Sequence, residues 1–467
     1  MRDRPGHAPG WRPINKNREG KPMSVNTIGA RLDRLPITPL HRKIFGLVAV
    51  GMFFEGFDIY IAASVLGAAY KSGFSTLAQN GLFISATFVG MTLGALLTGF
   101  WGDRYGRRVT YQTNLILFGA AALASAFAPN METLIVLRFL MGLGLGAEAV
   151  VGYSIITEFF PARVRGRWSG FIGTLVTAGL PASALTAWLL VPTFGWRVMF
   201  VLGALGALVA WLLRRDLPES PRWLAAAGRE AEAEALVAKL EQSASAMGPL
   251  PPVQASTADE VPLGAGQLFR RPYLTRLIVG CIALMVVNTL IYGFITWLPT
   301  FFVGQGESIA RSTGFALVMA VGGPIGASLG AVSADAFGRK PTIIGASAIA
   351  IVLSVLFGLS ASSTMTAVIG FLLTIPIYVL VAALFAIYVP ELFPTAFRLR
   401  GVGLCNAAGR SASIIVPLFI GPLFSQYGVG GVLALMASAL MIMILVVGTL
   451  GIEPQRKGAE EGVGVAA

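Results

Sequence analysis

The chain has 467 residues, of which 55% are hydrophobic and only 12% are charged, and its mean hydropathy is +0.73. These values exclude an ordinary soluble protein and indicate an integral membrane protein. The formal net charge of +12 does not point to nucleic acid, because the basic residues lie mainly in the segments between apolar stretches.

The first 42 residues are predicted to form a cytoplasmic tail. They contain no apolar core of the kind found in a cleavable signal peptide. Ile28, Leu32 and Leu35 recur at helical spacing, which predicts an amphipathic helix lying on the inner membrane face. An unstructured tail is the alternative.

Twelve apolar segments follow, each long enough to cross a hydrocarbon core of ~30 Å as a helix. They cover approximately residues 44–69, 80–101, 110–128, 132–156, 168–191, 197–213, 275–300, 312–334, 341–360, 364–389, 401–424 and 427–451. Of the 35 Lys and Arg residues, only Lys71, Arg197 and Arg311 fall in loops on the side opposite to the tail. This asymmetry predicts that both termini are cytoplasmic.

The predicted fold class is an all-α membrane protein whose twelve transmembrane helices form two parallel six-helix bundles. Its parts are expected to be the N-terminal tail (1–42), an N-terminal bundle (43–214), a cytoplasmic linker with a helix (215–273), a C-terminal bundle (274–452) and a cytoplasmic tail (453–467). The linker helix is indicated by Ser220 as N-cap and Pro221 at the first helical position.

A repeated loop sequence is the basis for the two bundles. "GDRYGRR" (102–108) after the second segment matches "ADAFGRK" (334–340) after the eighth at an offset of 232 residues. "TEFFP" (157–161) after the fourth segment matches "PELFP" (390–394) after the tenth at an offset of 233. Two signatures at almost one offset indicate a six-helix unit that occurs twice in the same membrane orientation.

Charged residues and glycines around these loops are interpreted as a conformational gate. We expect ion pairs, including one between a loop arginine and Glu158, to hold one conformation, and the glycines to allow a tight turn and close helix approach. The alternative is that the charges only fix the membrane orientation. The predicted gate residues are Gly99, Asp103, Arg104, Gly106, Arg107, Arg108, Glu158, Arg165, Asp335, Gly338, Arg339, Glu391 and Arg400.

Five ionisable residues fall inside the predicted spans: Glu55, Asp58, Arg138, Glu148 and Arg410. Because a charge in hydrocarbon is costly, such residues normally face an internal cavity, pair with each other, or carry an ion. A rise of ~1.5 Å per residue places all of them except Arg138 near the middle of the membrane. Transporters built from two such halves keep their substrate there.

Glu55 and Asp58 are three residues apart and share one helix face. Two neighbouring carboxylates cannot both ionise cheaply in a poor solvent, so these two and Glu148 are predicted to couple transport to protons. We expect Asp58 to be essential and Glu55 to tune it; a static ion pair of Asp58 with Arg138 is the alternative. Three acids against two bases leave one acid over, which is expected to be protonated unless the substrate brings a positive charge.

Arg410 is interpreted as a substrate-binding group, because a guanidinium keeps its charge when buried and grips a carboxylate through two hydrogen bonds. A structural pairing of Arg410 with Glu148 is the alternative. Aromatic rings are suited to stack on a flat ligand and amides to orient polar groups, although packing is the competing interpretation of each. The other predicted substrate contacts are Arg138, Asn288, Tyr292, Asn406 and Tyr153.

"GFWGDRYGRR" (99–108), "RFLMGLGLG" (138–146) and "PESPRWL" (218–224) resemble signatures of the major facilitator superfamily and its sugar- and metabolite-porter branch. The sequences 31–62 and 393–410 resemble bacterial proton symporters of niacin and aromatic acids, and more distantly organic-ion transporters. Aromatic-acid porters commonly have two aspartates where this chain has Glu55 and Asp58. In organic-ion transporters the helix of Arg410 tends to carry a cation in anion carriers, so the resemblance implies an anionic substrate.

The leading prediction is a proton-coupled symporter that imports a small organic anion, such as nicotinate or a benzoate-like acid, through the bacterial inner membrane. Sugar or polyol symport and drug or metabolite efflux are the alternatives among transporters, and a non-transporting sensor is the alternative class. The sequence has no phosphate-binding loop, HExxH motif or CxxC pair, so no enzyme, cofactor or metal is expected. We expect a monomer whose partners are the substrate, protons and the bilayer.

Overall fold

The computed structural model describes residues 25–253, 268–271, 273–393 and 398–453. These parts of the chain are helical, with no β-strand among them. Most of the predicted C-terminal tail lies outside the described residues.

The helices of the described ranges are numbered α1 to α14 in chain order. The first nine are α1 (Val25–Asp33), α2 (Pro39–Lys71), α3 (Leu77–Tyr105), α4 (Arg107–Ala126), α5 (Met131–Phe159), α6 (Ala162–Phe194), α7 (Arg197–Leu213), α8 (Pro221–Ala226) and α9 (Glu230–Ser245). The others are α10 (Tyr273–Gly304), α11 (Ile309–Phe337), α12 (Arg339–Gly358), α13 (Ser363–Glu391) and α14 (Arg398–Leu450).

Ten of the described helices are long and apolar enough to cross a membrane. The predicted third span, α4, is a 20-residue helix that is not among these ten. The last two predicted spans lie within α14, where the non-helical backbone of Gly428 separates two helical segments. Apolar side chains along the spans stay exposed, among them Leu96, Val332 and Phe419 at 60%, 68% and 61%. Such a surface suits lipid rather than water.

The repeated loops turn in the same way because each contains a glycine with a positive φ. Gly106 has a φ of 92° between α3 and α4, and Gly338 has a φ of 98° between α11 and α12. L-residues with a Cβ rarely adopt this conformation, so these two positions require glycine. The two loops therefore present their charged residues in equivalent ways.

Helices α2–α7 pack against one another, as do α10–α14, and the two groups are called the N-terminal half and the C-terminal half. The halves meet mainly where α3 contacts α14, α6 contacts α11 and α2 contacts α10. Lys71 Nζ donates to the Glu307 carbonyl at 2.8 Å, and Ser85 Oγ donates to the Ile414 carbonyl at 2.6 Å. These contacts lie on the side away from α1, α8 and α9, which we call the far side; the side carrying those three helices is the linker side.

The expectation that α1 lies on a membrane surface is wrong. The helix forms, but its apolar residues Ile28, Leu32 and Leu35 are buried in one cluster with those of the linker helix α9. Arg31 also forms ion pairs of 2.6 Å with both Glu234 and Glu241 of α9. The apolar stripe that predicted lipid contact is therefore covered by protein, because α9 offers a matching apolar stripe. The residues that provide it are Ala233, Val237, Leu240 and Ala244.

Candidate functional site

Asp58 and Arg138 form a buried ion pair between α2 and α5. Arg138 Nη1 lies 2.6 Å from Asp58 Oδ2, and Arg138 Nη2 donates to the Asp58 carbonyl at 2.9 Å. Arg138 Nε donates to Thr87 Oγ1 at 3.0 Å, and its guanidinium lies 5.1 Å from the Phe83 ring. Both members of the pair are fully buried. The pairing is the alternative that the sequence left open for Asp58.

Glu148 pairs with Arg214, and the alternative pairing of Glu148 with Arg410 is wrong. Arg214 Nη1 lies 2.7 Å from Glu148 Oε1, and both residues are buried. The Arg214 side chain also donates to the carbonyls of Leu47 and Val48 in α2 at 2.9 and 3.0 Å. Arg214 follows directly after α7, so its long side chain reaches back from the linker side into the N-terminal half. It thereby connects α2, α5 and the end of α7.

Gly51 leaves the space that this ion pair occupies. A Cβ atom at this position would collide with Arg214 Nη2 and Glu148 Oε1. Gly51 lies one turn before Glu55 on α2. The ring of Tyr111 closes the other side, 3.8 Å from the Arg214 guanidinium. The pair is therefore packed between a glycine and an aromatic ring.

The predicted excess of one acid in the membrane interior is wrong as well. Arg214 is a third buried base, so three guanidiniums now stand against Glu55, Asp58 and Glu148. Two of the acids have their own ion pairs. Charge counting therefore gives no reason for a protonated acid at rest, and only Glu55 and Arg410 remain without an ion-pair partner among these six groups.

Glu55 lies at the centre of the molecule and is 5% exposed. Its Oε2 atom has no hydrogen-bond partner among the described residues. The charges that act on it are Glu148 and Arg214 of its own half and Arg410 of the other half. Arg410 is partly exposed and forms no ion pair in the described parts of the chain. Arg410 thus acts electrostatically on Glu55 from the other half, without a direct salt bridge.

Aromatic residues surround this central pair. Tyr292 of α10 packs on Phe88 of α3 with ring centroids 4.2 Å apart, and it lies within electrostatic range of both Glu55 and Arg410. The Tyr378 hydroxyl donates to the Tyr60 hydroxyl at 3.1 Å, which joins the halves near the same level. Tyr153 also lies within range of Glu55 and is 38% exposed. The Tyr60–Tyr378 bond therefore joins the halves between Glu55 and the far side, whereas Tyr153 lies towards the linker side.

The two predicted amides are bonded within the C-terminal half. Asn288 accepts from Ser413 Oγ at 2.9 Å and donates to the Leu284 carbonyl at 2.7 Å. Asn406 donates to the Val402 carbonyl at 3.0 Å and is partly exposed. Neither amide is bonded to Glu55 or Arg410 in this conformation of the described chain.

Arg107 is the centre of the charged cluster that the sequence predicts to be a gate in the N-terminal half. Its guanidinium lies 3.0 Å from Glu158 and 2.9 Å from Asp103. Glu219, which was not predicted, accepts from the backbone N–H groups of Arg107 and Arg108 at 2.9 and 3.2 Å. A carboxylate at this position satisfies N–H groups that the start of α4 leaves free, and it interacts favourably with the helix dipole.

The C-terminal half repeats this arrangement. Arg339 lies 3.0 Å from Glu391 and 3.3 Å from Asp335. Glu453 accepts from the backbone N–H groups of Arg339 and Lys340 at 2.6 and 2.8 Å. Each gate thus ties the helices of its own half to the chain segment that follows that half.

The remaining gate residues have weaker roles in the geometry. Arg108 donates to the Arg215 carbonyl at 2.6 Å, and Arg165 lies 3.4 Å from Asp33 next to α1. Arg104 is exposed and stacks on Tyr105, while Arg400 is exposed at the start of α14. A Cβ at Gly99 would meet nothing within 4 Å, so the predicted close helix approach at Gly99 is wrong.

Arg214, Glu219 and Glu453 are the site residues that sequence reasoning missed. Glu219 and Glu453 are 234 residues apart, so the repeat offset contained a signal for both. Arg214 is followed by Arg215 at the end of a span, and nothing in the sequence distinguishes the buried one from its neighbour.

Comparisons with known proteins extend over nearly the whole chain. Residues 45–461 match the family described as "Sugar (and other) transporter". The inner membrane metabolite transport protein YdjE of Escherichia coli (strain K12) is 35% identical, over 93% of this chain and 98% of its own length. The niacin transporter NiaP of Acinetobacter baylyi is 30% identical, over 92% and 98%. The partially occluded inward open structure of the xylose transporter XylE from E. coli has a TM-score of 0.68 at 19% identity, over 89% and 99%.

Two packed groups of membrane-crossing helices around buried charges, together with these matches, define a multi-pass membrane transporter rather than an enzyme. Within that class, the chain belongs to the sugar (and other) transporter family of the major facilitator superfamily. Its partners include a small molecule and membrane lipid, as this family implies.

Gly51→Ala is predicted to disturb the Glu148–Arg214 pair, because the added methyl group overlaps both side chains. Overpacking of this kind costs ~1–3 kcal/mol, so the melting temperature of the purified protein should fall. Gly46→Ala on the same helix is the control: its Cβ meets nothing within 4 Å, and it should leave stability unchanged or raise it by up to ~1 kcal/mol. Equal melting temperatures for the two variants would contradict the tight fit at Gly51.

Proposed function

We propose that the protein is a proton-coupled symporter that imports a small organic anion. The observation that carries this proposal is Arg410, which is partly exposed, forms no ion pair in the described chain and acts electrostatically on Glu55 from the other half. A guanidinium in this position is suited to bind a carboxylate through two hydrogen bonds.

The charges suggest how proton and anion are coupled. While Glu55 is ionised, its negative charge offsets that of Arg410 and opposes a second anion. When Glu55 takes up a proton, the charge of Arg410 is uncompensated, and an anionic substrate restores neutrality. In a low-dielectric site the two binding events therefore favour each other, and proton plus monoanion crosses without net charge.

Glu55 is preferred over Asp58 as the group that takes up this proton. Asp58 has a guanidinium at 2.6 Å in its own half, whereas Glu55 has no ion-pair partner in the described chain. Asp58 then contributes by holding Arg138 between α2 and α5.

An aromatic or heteroaromatic carboxylate such as nicotinate or a benzoate-like acid is the proposed substrate. Tyr292 and Tyr153 lie near Glu55 and offer ring faces on which a flat ligand can stack. Similarity to proteins named niacin transporters supports this choice. Sugar symport is the second candidate, because a relative 26% identical over 91% of the chain is named an arabinose-proton symporter.

Transport is proposed to proceed by alternating access, with the halves closed at the far side in the conformation described here. The gates around Arg107 and Arg339 lie within each half, so we propose that they keep each half rigid while the two halves rock. The protein is proposed to be a monomer in the bacterial inner membrane, with both termini and the linker side in the cytoplasm, as the distribution of Lys and Arg indicates.

Glu55→Gln is predicted to remove the pH dependence of substrate binding. In the wild type, with one proton bound per anion, nicotinate affinity should fall roughly tenfold per pH unit once Glu55 is ionised. The variant should bind nicotinate equally at all pH values and still exchange labelled substrate, but it should not accumulate substrate under an imposed pH gradient in proteoliposomes. Glu132→Gln, an exposed acid on α5, is the control. Gradient-driven accumulation by Glu55→Gln would overturn the assignment.

Arg410→Ala is predicted to weaken binding of carboxylates selectively. Loss of hydrogen bonds between charged groups costs ~1.5–3 kcal/mol, so the dissociation constant of nicotinate should rise roughly 10- to 100-fold. The neutral nicotinamide should lose little, because it has no charge for Arg410 to bind. An equal loss for both ligands in titration calorimetry would show that Arg410 acts only on the structure.

Asp58→Asn is predicted to abolish accumulation while protein remains in the membrane. It leaves Arg138 buried without a counter-charge, at a cost on the order of 3–5 kcal/mol. The double variant Asp58→Asn/Arg138→Gln removes both charges and should recover thermal stability. Transport by the single variant at the wild-type rate would contradict a requirement for the pair.

A further inference from the structure

A small cavity lies inside the N-terminal half, between α2, α4 and α5. Its volume is about 10 Å³ measured as space for the centre of a water molecule, and Glu55, Asn114 and Glu148 contribute its polar lining. A cavity of this size holds roughly one water molecule, provided that polar groups surround it.

Each of these three side chains has an unsatisfied polar atom. Glu55 Oε2, Glu148 Oε2 and Asn114 Nδ2 are buried and have no hydrogen-bond partner in the described chain. The three residues are 5%, 4% and 5% exposed. Buried polar atoms almost always have a partner, because leaving one unsatisfied costs several kcal/mol in an apolar environment. Two acceptors and one donor thus border the same cavity.

We propose that Glu55, Asn114 and Glu148 hold one water molecule that links the two carboxylates, so that a single proton is shared between them. With both carboxylates ionised, the water accepts a hydrogen bond from Asn114 Nδ2 and donates one to each carboxylate. When one carboxyl group holds the proton, its O–H donates to the water, and the water donates to the other carboxylate. These three bonds satisfy all three unpaired atoms and lie within the usual number for a buried water. Asn114 is therefore a positioning residue, which acts on the proton site through the water.

The charges are consistent with one shared proton. Glu55, Glu148 and Arg214 together carry a net charge of −1 without it and are neutral with it. Arg214 Nη1 lies 2.7 Å from Glu148 Oε1, which leaves Glu148 Oε2 to bind the water. Protonation therefore neutralises this group of three, and Arg410 is then the uncompensated charge that faces the centre.

Other titratable groups face the site from every neighbouring element. The buried Tyr111 hydroxyl of α4 lies beside Glu148 and is a second donor available to that carboxylate, and Tyr153 of α5 lies within range of Glu55. Tyr292 of α10 and Arg410 of α14 approach from the C-terminal half. None of these groups lines the cavity that joins Glu55 to Glu148.

Water is a better occupant than a metal cation because one of the three unpaired atoms is a donor. Asn114 Nδ2 carries N–H groups, whose positive ends repel a cation. Arg214 already neutralises the charge of Glu148. A sodium ion would need several oxygen ligands and no such donor.

The test is infrared difference spectroscopy of the full-length protein in nanodiscs, recorded between acid and alkaline pH in ordinary water and in water labelled with ¹⁸O. The wild type should show a protonated-carboxyl band together with a water band that shifts with the label. Asn114→Leu removes the donor at similar volume; it should abolish the water band and move the carboxyl band.

Thr113→Val is the matched control, because Thr113 is adjacent, exposed and bonded to the backbone of its own helix; it should leave both bands in place. If Asn114→Leu does not fold, Glu148→Gln tests the same link, since it should change the water band and the carboxyl band together. Both bands unchanged in Asn114→Leu would overturn the proposal. Bands that require sodium rather than choline in the buffer would show a cation site and overturn it equally.

The inference rests on the proposed proton site at Glu55, but the two fail differently. If the wild type accumulates nicotinate under a pH gradient and Asn114→Leu keeps both bands, the symport proposal stands and the shared water is wrong. If the wild type shows no pH-driven uptake while the label-sensitive band is present, the water site stands and the proposed coupling is wrong.

Discussion

The cost of a charge inside a membrane determines how the N-terminal half is built. Asp58 and Glu148 each need a cation, and each receives one from a different helix or helix end. The two ion pairs fix α2 against α5 and α5 against the end of α7, while backbone carbonyls of α2 bind Arg214 as well. Removing one partner of a buried pair costs several kcal/mol, so these helices are held in one arrangement.

Pairing of charged groups also determines the contacts on the linker side. Glu219 and Glu453 come from the segments that follow each half, and each returns to cap the helix after the repeated loop of that half, α4 and α12 respectively. Four gate contacts thus close each half on itself at the membrane surface. In the N-terminal half, the ion pair between Arg31 of α1 and Glu241 of α9 also attaches the N-terminal segment to these contacts. Rigid halves are what a rocking motion requires.

The fold is predicted well from sequence patterns because span length, loop charge and the 232-residue repeat are local or additive properties. The same patterns predict that an arginine of the repeated loop pairs with Glu158, and the structure shows that this arginine is Arg107. The patterns do not predict that Arg214 is buried or that α1 packs on α9, because these features depend on side-chain direction and tertiary contacts. An arginine at a span end looks the same whether it points to water or, as Arg214 does, back into the helices. The error in the charge count followed directly from that ambiguity.

The three buried acids and two of the three guanidiniums belong to the N-terminal half, while Arg410 is the group that the C-terminal half sets against Glu55. In the proposed function the proton is therefore bound by the N-terminal half and the substrate carboxylate by Arg410 of the C-terminal half. Under that proposal, substitutions in α10 and α14 are expected to change which molecule is carried without altering the groups that bind the proton. This separation offers a physical route by which one scaffold diversifies its cargo in evolution while its driving force stays the same.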